Sequence, residues 1–165
     1  MKSLRKVELK DLNALIKLLQ EFWKTQLFNP KDSDILEDIH KMLDERGIGR
    51  IIEVDGNIAG FIYVNEKFGY INNIEYLYID KAYRGKGLAT FAIEEIKKLV
   101  FERGNDKAQI EVVPNNYRAL KLYHKLGFTS IDTFTLSTKI SGSKREELKF
   151  RDLTFLINHK EDFKK

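Results

Sequence analysis

The stretch "YIDKAYRGKGLATFAIEEI" (residues 78–96) decides the fold, because a strand pattern changes to a helix pattern across two glycines. The first amide groups of a helix have no partner within the helix, and they carry the positive end of its dipole. Gly85 and Gly87 allow these amides to converge, and Arg84 and Lys86 add positive charge. The stretch therefore predicts an anion-binding loop at a strand-to-helix junction, with a plain glycine turn as the alternative interpretation.

Two common phosphate-binding patterns do not fit this loop. The Walker A spacing is absent, and the third glycine of a dinucleotide-binding pattern falls on Thr90. The pattern that fits is R-x-x-G-x-A, formed by Arg84, Gly87 and Ala89. Backbone geometry alone does not choose the anion.

The rest of the chain alternates between strand and helix patterns. Strands are predicted at Leu4–Leu9, Tyr70–Asp80, Ala108–Val113, Phe134–Ile140 and Leu148–Ile157, with a hairpin around Asp55-Gly56. Helices are predicted from Asp11, from Asp32 or Ser33, from Gly87 to Arg103, and from Asn115 or Asn116 to Gly127. This order predicts an α/β (α+β) fold with a mixed, mostly antiparallel sheet.

Composition limits the class of protein. The 165 residues indicate one domain, and no apolar run is long enough to span a bilayer. The chain has no cysteine, which excludes disulfides, thiolate metal sites and a cysteine nucleophile, and no other metal-ligand spacing occurs. A cytoplasmic protein without a metal is expected. Most of the net charge of +4 lies between Lys139 and the end of the sequence, where a solvated surface is the simpler explanation. Neither nucleic acid nor a membrane is expected as a partner.

A second motif identifies the anion. The stretch "VVPNNYRALKLYHKLGF" (residues 112–128) is similar to N-x-x-A-x-x-L-Y-x-K-x-G-F, a signature of the GNAT superfamily of N-acetyltransferases. The loop pattern R-x-x-G-x-A also resembles the acetyl-CoA pyrophosphate loop of that family. With both motifs in order, the chain resembles the family from about Leu4 to Phe134.

The resemblance implies a GNAT fold with about seven strands in its central sheet and about four helices, and acetyl-CoA as cosubstrate. Loop amides would hold the pyrophosphate, the fourth strand would pair with the pantetheine arm, and an asparagine would bond that arm or cap its helix. The implied cofactor-binding residues are Leu77, Tyr78, Ile79, Arg84, Gly85, Lys86, Gly87, Leu88, Ala89, Thr90, Asn116 and Tyr123.

The resemblance also implies the catalytic groups. Tyr123 would be the general acid for the CoA thiolate, although its spacing also suits a core aromatic residue. Glu75 would be the base, directly or through a water molecule; the alternatives are a strand-edge salt bridge there, or Glu111 as the base. Strand alternation groups Glu75 with Asn73, Leu77 and Ile79.

The acceptor is predicted only as a class. A small cationic amine such as a polyamine or aminoglycoside, or a lysine or N-terminal amine, would suit the acidic stretch that contains Asp32, Asp34, Glu37 and Asp38. Apolar walls are expected from Tyr63, Tyr76 and residues 23–28. Residues 129–165 are expected to form the last strands and an extended hairpin; such hairpins can carry a dimer interface, so a homodimer is among the expected partners. The alternative function is a non-catalytic CoA or acyl-CoA sensor on the same fold.

Overall fold

The computed structural model describes residues 1–26, 28–114, 116–133 and 146–157. The chain divides into two compact units, Met1–Glu111 and Val112–Lys165, and each is described by itself. The single acetyltransferase domain expected over residues 1–165 stays a prediction.

The first unit is a five-stranded sheet with helices on both faces. Its strands are β1 (Lys2–Lys6), β2 (Ile48–Val54), β3 (Asn57–Lys67), β4 (Tyr70–Ile79) and β5 (Gln109–Ile110). Its helices are α1 (Leu12–Thr25), α2 (Asp32–Leu43) and α3 (Leu88–Glu102). The strands pair in chain order, antiparallel except for the parallel pair of β4 and β5. The mixed, mostly antiparallel sheet is thus confirmed.

The core of this unit has two layers, because the helices cover opposite faces of the sheet. Apolar residues of α1 and α2 form one buried cluster with Phe61, Tyr63, Tyr76 and Tyr78 of the sheet. The helix α3 packs against β4 and β1, and none of its buried residues belongs to that cluster. The hairpin between β2 and β3 turns where expected, at Asp55 and Gly56, with φ of 51° and 77°.

Two strands of this unit are displaced from their predicted bounds. The first strand ends at Lys6 and not at Leu9, because Leu9 already begins a short 3-10 turn whose start is fixed by the Glu8 amide donating to Asp11. The strand predicted at Ala108–Val113 is only two residues long. Its pairing with β4 ends at Ile74, immediately before an irregularity in β4 that is described below.

The described part of the second unit contains one helix and one hairpin. The helix α4 spans Tyr117–Lys125, and β6 (Glu146–Phe150) pairs antiparallel with β7 (Leu153–Ile157). The single strand predicted at Leu148–Ile157 is therefore wrong: the chain reverses at Arg151, whose φ is 57°. The strand predicted at Phe134–Ile140 lies outside the described residues. The homodimer stays a prediction.

With four helices and seven strands in the described residues, the architecture agrees with the expected fold, although five strands form one sheet and two form a separate pair. None of the described helices is both long and apolar enough to cross a membrane.

Candidate active site

The loop between β4 and α3 has the backbone conformation of an anion cradle. Gly85 and Gly87 have φ of 77° and 71°, in the left-handed region that favours glycine, and Gly87 is the N-cap of α3. The first helical hydrogen bond runs from the Phe91 amide to the Gly87 carbonyl, so the amides of Leu88, Ala89 and Thr90 precede it. A Cβ atom added at Gly85 would meet no atom within 4 Å, so the space beside this glycine is open. Gly85 thus leaves the loop backbone accessible to a ligand.

Side chains around the loop hold its backbone in place. The Arg84 Nε donates to the Ile79 carbonyl at 3.1 Å, and its guanidinium carbon lies 5.6 Å from the centre of the Tyr78 ring. The Lys86 ammonium lies 5.2 Å from the Tyr83 ring centre. Lys2 of β1 donates to the Lys86 carbonyl at 2.8 Å. Arg84 and Lys86 therefore stabilise the loop conformation as well as adding positive charge.

The second half of β4 has an open edge. β4 pairs with β5 only at Asn73 and Ile74, whereas its pairing with β3 continues to Ile79. On the β5 side, no strand among the described residues pairs with the segment from Leu77 to Ile79. An extended ligand could add to this edge by backbone hydrogen bonds, as a strand does.

Glu75 lies at a β-bulge of β4. Tyr63 pairs with Tyr76 and the next residue, Val64, pairs with Ile74, so Glu75 is an extra residue without a partner on β3. A bulge re-aims the side chain that it carries. The carboxyl group of Glu75 consequently interacts with Tyr76.

The same carboxyl group interacts with Asp38 and Lys41 of α2 and with Asn65 of β3. The predicted grouping of Glu75 with Leu77 and Ile79 is therefore wrong, because the bulge places it on the helix α2 side. Its grouping with Asn73 agrees with the structure, since Asn73 donates to Asn65 at 2.9 Å.

Partial burial of its carboxyl group raises the pKa of Glu75 above the ordinary glutamate value, although the residue as a whole is exposed. The interaction with the Tyr76 hydroxyl and the positive charge of Lys41 oppose this rise. The negative charge of Asp38 reinforces it. A carboxylate with a raised pKa is a better proton acceptor than an ordinary one.

A buried carboxylate lies beside Glu75. Asp38 is only 5% exposed, and its two oxygens accept hydrogen bonds from the Trp23 indole N–H and from the Tyr76 hydroxyl, both at 2.9 Å. The Tyr76 ring packs against Trp23 and Tyr63, with ring centres 5.8 Å away in each case. Of the predicted walls, Tyr63 and Tyr76 belong to the core, Trp23 packs against it and Phe28 is half exposed.

The second unit contains the two remaining predicted site residues. The Asn116 side chain is the N-cap of α4 and accepts a hydrogen bond from the Ala119 amide at 3.2 Å. Tyr123 is half-buried, its ring contacts Phe128 edge to face at 6.0 Å between centres, and burial raises its pKa. A raised pKa keeps the phenol protonated over a wider pH range.

The first unit therefore brings together the loop from Arg84 to Thr90, the open edge of β4 and Glu75. Glu111, the other candidate base, forms an ion pair with Lys67. Sequence reasoning missed the contact of Lys2 with the loop and the bonding of Asp38 by Trp23 and Tyr76. It had no signal for either, because these contacts join distant segments of the chain. The described residues contain no group of histidines and carboxylates that could hold a metal ion.

Comparisons with known proteins agree with this geometry. Residues 12–128 match the Acetyltransferase (GNAT) family. A streptothricin acetyltransferase of Escherichia coli is 32% identical over 117 residues, which cover 70% of this chain and 66% of that protein, slightly under two thirds.

Solved structures share the fold at lower identity. AAC(6′)-Iy, in complex with the bisubstrate analogue CoA-S-monomethyl-acetylneamine, has a TM-score of 0.72 and 19% identity, covering 86% of this chain and 99% of that one. A ribosomal-protein-alanine N-acetyltransferase from Brucella melitensis biovar Abortus 2308 has a TM-score of 0.68 and 21% identity, covering 85% and 100%.

The chain belongs to the acetyltransferase (GNAT) family, a family of acetyl-CoA-dependent N-acetyltransferases. The predicted family and the predicted fold are both confirmed.

Proposed function

We propose that this chain transfers the acetyl group of acetyl-CoA directly to a primary amine, within a ternary complex of protein, acetyl-CoA and amine. The observation that carries the proposal is the loop with two left-handed glycines at the start of α3, in a member of this family. Glu75 is the base and Tyr123 is the general acid.

The loop and the open strand edge suit the two ends of the donor. The pyrophosphate would be bound by the amides of Leu88, Ala89 and Thr90 and by the loop amides before them. The three helical amides precede the first helical hydrogen bond and form the positive end of the helix dipole. The edge from Leu77 to Ile79 would pair with the pantetheine arm. Asn116 would bond that arm through its amide nitrogen, since its side-chain oxygen caps α4.

The base must remove a proton before the amine can react. A primary ammonium has a pKa of about 10, so little neutral amine is present near neutral pH. The carboxylate of Glu75 takes this proton, directly or through a water molecule. Two features support Glu75 over Glu111: its raised pKa, and the ion pair that already occupies Glu111.

The proposed transfer passes directly from acetyl-CoA to the amine, without a covalent enzyme intermediate. The amine nitrogen forms a bond to the thioester carbonyl carbon, the carbon–sulfur bond breaks, and the thiolate takes the proton of the Tyr123 phenol. The extra proton left on the nitrogen returns through water to the Tyr123 phenolate, which restores the acid. Burial keeps the Tyr123 phenol protonated until the thiolate leaves, as this role requires. The chain has no cysteine, so no cysteine carries the acetyl group on the way.

The acceptor is a cationic primary amine. Glu75 and Asp38 give the first unit a pair of carboxylates beside aromatic rings, a surrounding that favours a cation. The names of similar proteins point to two sources: streptothricin and neamine are small molecules, whereas a ribosomal-protein alanine is a protein N-terminus. Polyamines and lysine side chains have the same ammonium chemistry.

The test measures thiol release from acetyl-CoA with four acceptors: streptothricin, neamine, spermidine and a peptide with an N-terminal alanine. CoA binding to the same protein is measured by calorimetry. We expect turnover with at least one amine, and a fall of about 10²–10⁴ in kcat for both Tyr123→Phe and Glu75→Gln. Tight CoA binding without turnover for any amine would favour a CoA sensor. Full activity of Tyr123→Phe would remove the acid from the mechanism.

A further inference from the structure

Asp38 is a buried carboxylate that the proposed reaction does not use. It is only 5% exposed, and burying a carboxylate is costly unless hydrogen bonds or a cation compensate it. Its closest cation, the Lys41 ammonium, lies 3.8 Å away and is nearer to Glu37, at 2.9 Å. The two hydrogen bonds at 2.9 Å come instead from the neutral donors Trp23 and Tyr76. Because so little of Asp38 is exposed, direct contact between its carboxylate and an acceptor is disfavoured, although its negative charge still acts on the surroundings.

The Tyr76 hydroxyl is within reach of two carboxylates but has a single proton to donate. It donates this proton to Asp38, and hydrogen bonding with Tyr76 also influences the carboxyl group of Glu75. While the proton points to Asp38, the Glu75 carboxylate keeps its lone pairs for another donor. The bulge of β4 brings Glu75 to this position next to Tyr76.

We propose that Asp38 is a positioning residue for the transfer reaction: by holding the hydroxyl proton of Tyr76, it leaves the carboxylate of Glu75 available to the acceptor amine. This inference rests on the proposed role of Glu75 as the base.

The chemistry of Trp23 makes the effect of one substitution predictable. An indole N–H can only donate, so in Asp38→Asn the amide oxygen must face Trp23. The new amide N–H₂ then faces Tyr76 and donates to its oxygen. The Tyr76 proton then needs another acceptor, and Glu75 is the second carboxyl group that interacts with this hydroxyl. Two influences on Glu75 change together: a hydrogen bond to its carboxylate is gained, and the negative charge of Asp38 is lost.

Both changes stabilise the ionised form of Glu75 and lower its pKa. The other groups that face Glu75 are unchanged in this variant: Lys41 on α2, and Tyr63 and Asn65 on β3. The α1 residue at this cluster is Trp23, which donates to Asp38 and does not titrate. A shift in the pKa of Glu75 is therefore attributable to Asp38 and Tyr76.

The experiment is a carbon-13 titration of glutamate side-chain carboxyl groups in the full chain, with Glu75→Gln identifying the Glu75 signal. Four proteins form a cycle: the wild type, Asp38→Asn, Tyr76→Phe and the double variant. We expect the Glu75 pKa to be about 1 pH unit lower in Asp38→Asn. Tyr76→Phe should raise it slightly on its own, because the interaction with the hydroxyl is lost, and should raise it by more in the double variant, because no hydroxyl proton then remains for Glu75.

Kinetics of thiol release provide the second readout. In Asp38→Asn we expect kcat to fall about tenfold, equivalent to about 1.4 kcal/mol, with the acid limb of the pH profile moved to lower pH. The double variant should recover part of both effects. Asp106→Asn, which removes an exposed carboxylate between α3 and β5, is the matched control and should behave as the wild type.

The outcomes separate this inference from the proposed function. An unchanged Glu75 pKa in Asp38→Asn, or the same value in Asp38→Asn and the double variant, would overturn it. An absence of turnover in the wild type would contradict the proposed function, while the carboxyl titration would still test Asp38. If Asp38→Asn does not fold, Asp38→Ala gives the same test, because it releases the Tyr76 proton without adding an amide; an unchanged Glu75 pKa there would equally overturn the inference.

Discussion

Replacing Gly87 by alanine should weaken CoA binding while leaving the protein folded. Gly87 has φ of 71°, where an alanine costs about 1–2 kcal/mol of folding free energy. The added Cβ would meet only the Lys2 ammonium, at 3.7 Å, which is an ordinary contact. No clash within the protein therefore adds to that cost, and the variant should fold.

The same substitution should also reduce the binding free energy of CoA. The Cβ atom would be added at the N-cap of α3, next in the chain to the amides that are proposed to bind the pyrophosphate. Losing one hydrogen bond to a charged group costs about 1.5–3 kcal/mol, which corresponds to a roughly 10- to 150-fold rise in the Kd for CoA.

Gly56→Ala is the matched control for Gly87→Ala. Gly56 has φ of 77° in the turn between β2 and β3, and a Cβ there would meet nothing within 4 Å. Both variants should lose a similar free energy of unfolding in urea titrations, whereas calorimetry should show weaker CoA binding only for Gly87→Ala. Equal CoA affinity in the two variants would refute the loop as the pyrophosphate site.

Three further predictions follow from individual contacts. Because burial holds the pKa of Glu75 above its ordinary value, kcat should rise as the pH rises through that pKa, and Glu75→Gln should abolish this rise. If the rise of kcat with pH persists in Glu75→Gln, another group is responsible for it. Asp11→Asn should cost about 3 kcal/mol in denaturant titrations, because it breaks the paired hydrogen bonds at 2.7 and 2.8 Å between Arg5 and a carboxylate that is 1% exposed. Since Arg5 lowers the pKa of Asp11, this contribution should be complete above the ordinary aspartate pKa and lost as the pH falls through the lowered one; a loss that is independent of pH would contradict the pairing. Asn116→Ala should lower the free energy of unfolding by about 1 kcal/mol, because the N-cap of α4 is lost, and should therefore lower the melting temperature. An unchanged melting temperature would contradict a stabilising role for that cap.

The elements that local sequence determines were predictable. The turn at Asp55-Gly56 was located because both residues tolerate positive φ, and α2 begins at Asp32, one of its two predicted starts. The loop glycines were predictable for the same reason, since the left-handed conformation of Gly85 and Gly87 follows from residue type. The family signature added the order of the elements around them.

Features that depend on the partner segment were not predictable. The bulge at Glu75 arises from the register between β3 and β4, and nothing in the β4 sequence marks it. The turn at Arg151 was missed because an arginine at φ of 57° carries no turn signal. The bonding of Asp38 to Trp23 and Tyr76 joins three separate elements, so only tertiary structure brings these residues together.

The most direct measurement of the central claim is mass spectrometry of the products after incubation of the protein with acetyl-CoA and an accepting amine. We expect one acetyl group on the amine nitrogen for each CoA released, with the protein itself unmodified, as direct transfer requires. Recovery of intact acetyl-CoA with every amine, despite measurable CoA binding, would contradict the claim. So would an acetylated protein that passes its acetyl group on to the amine.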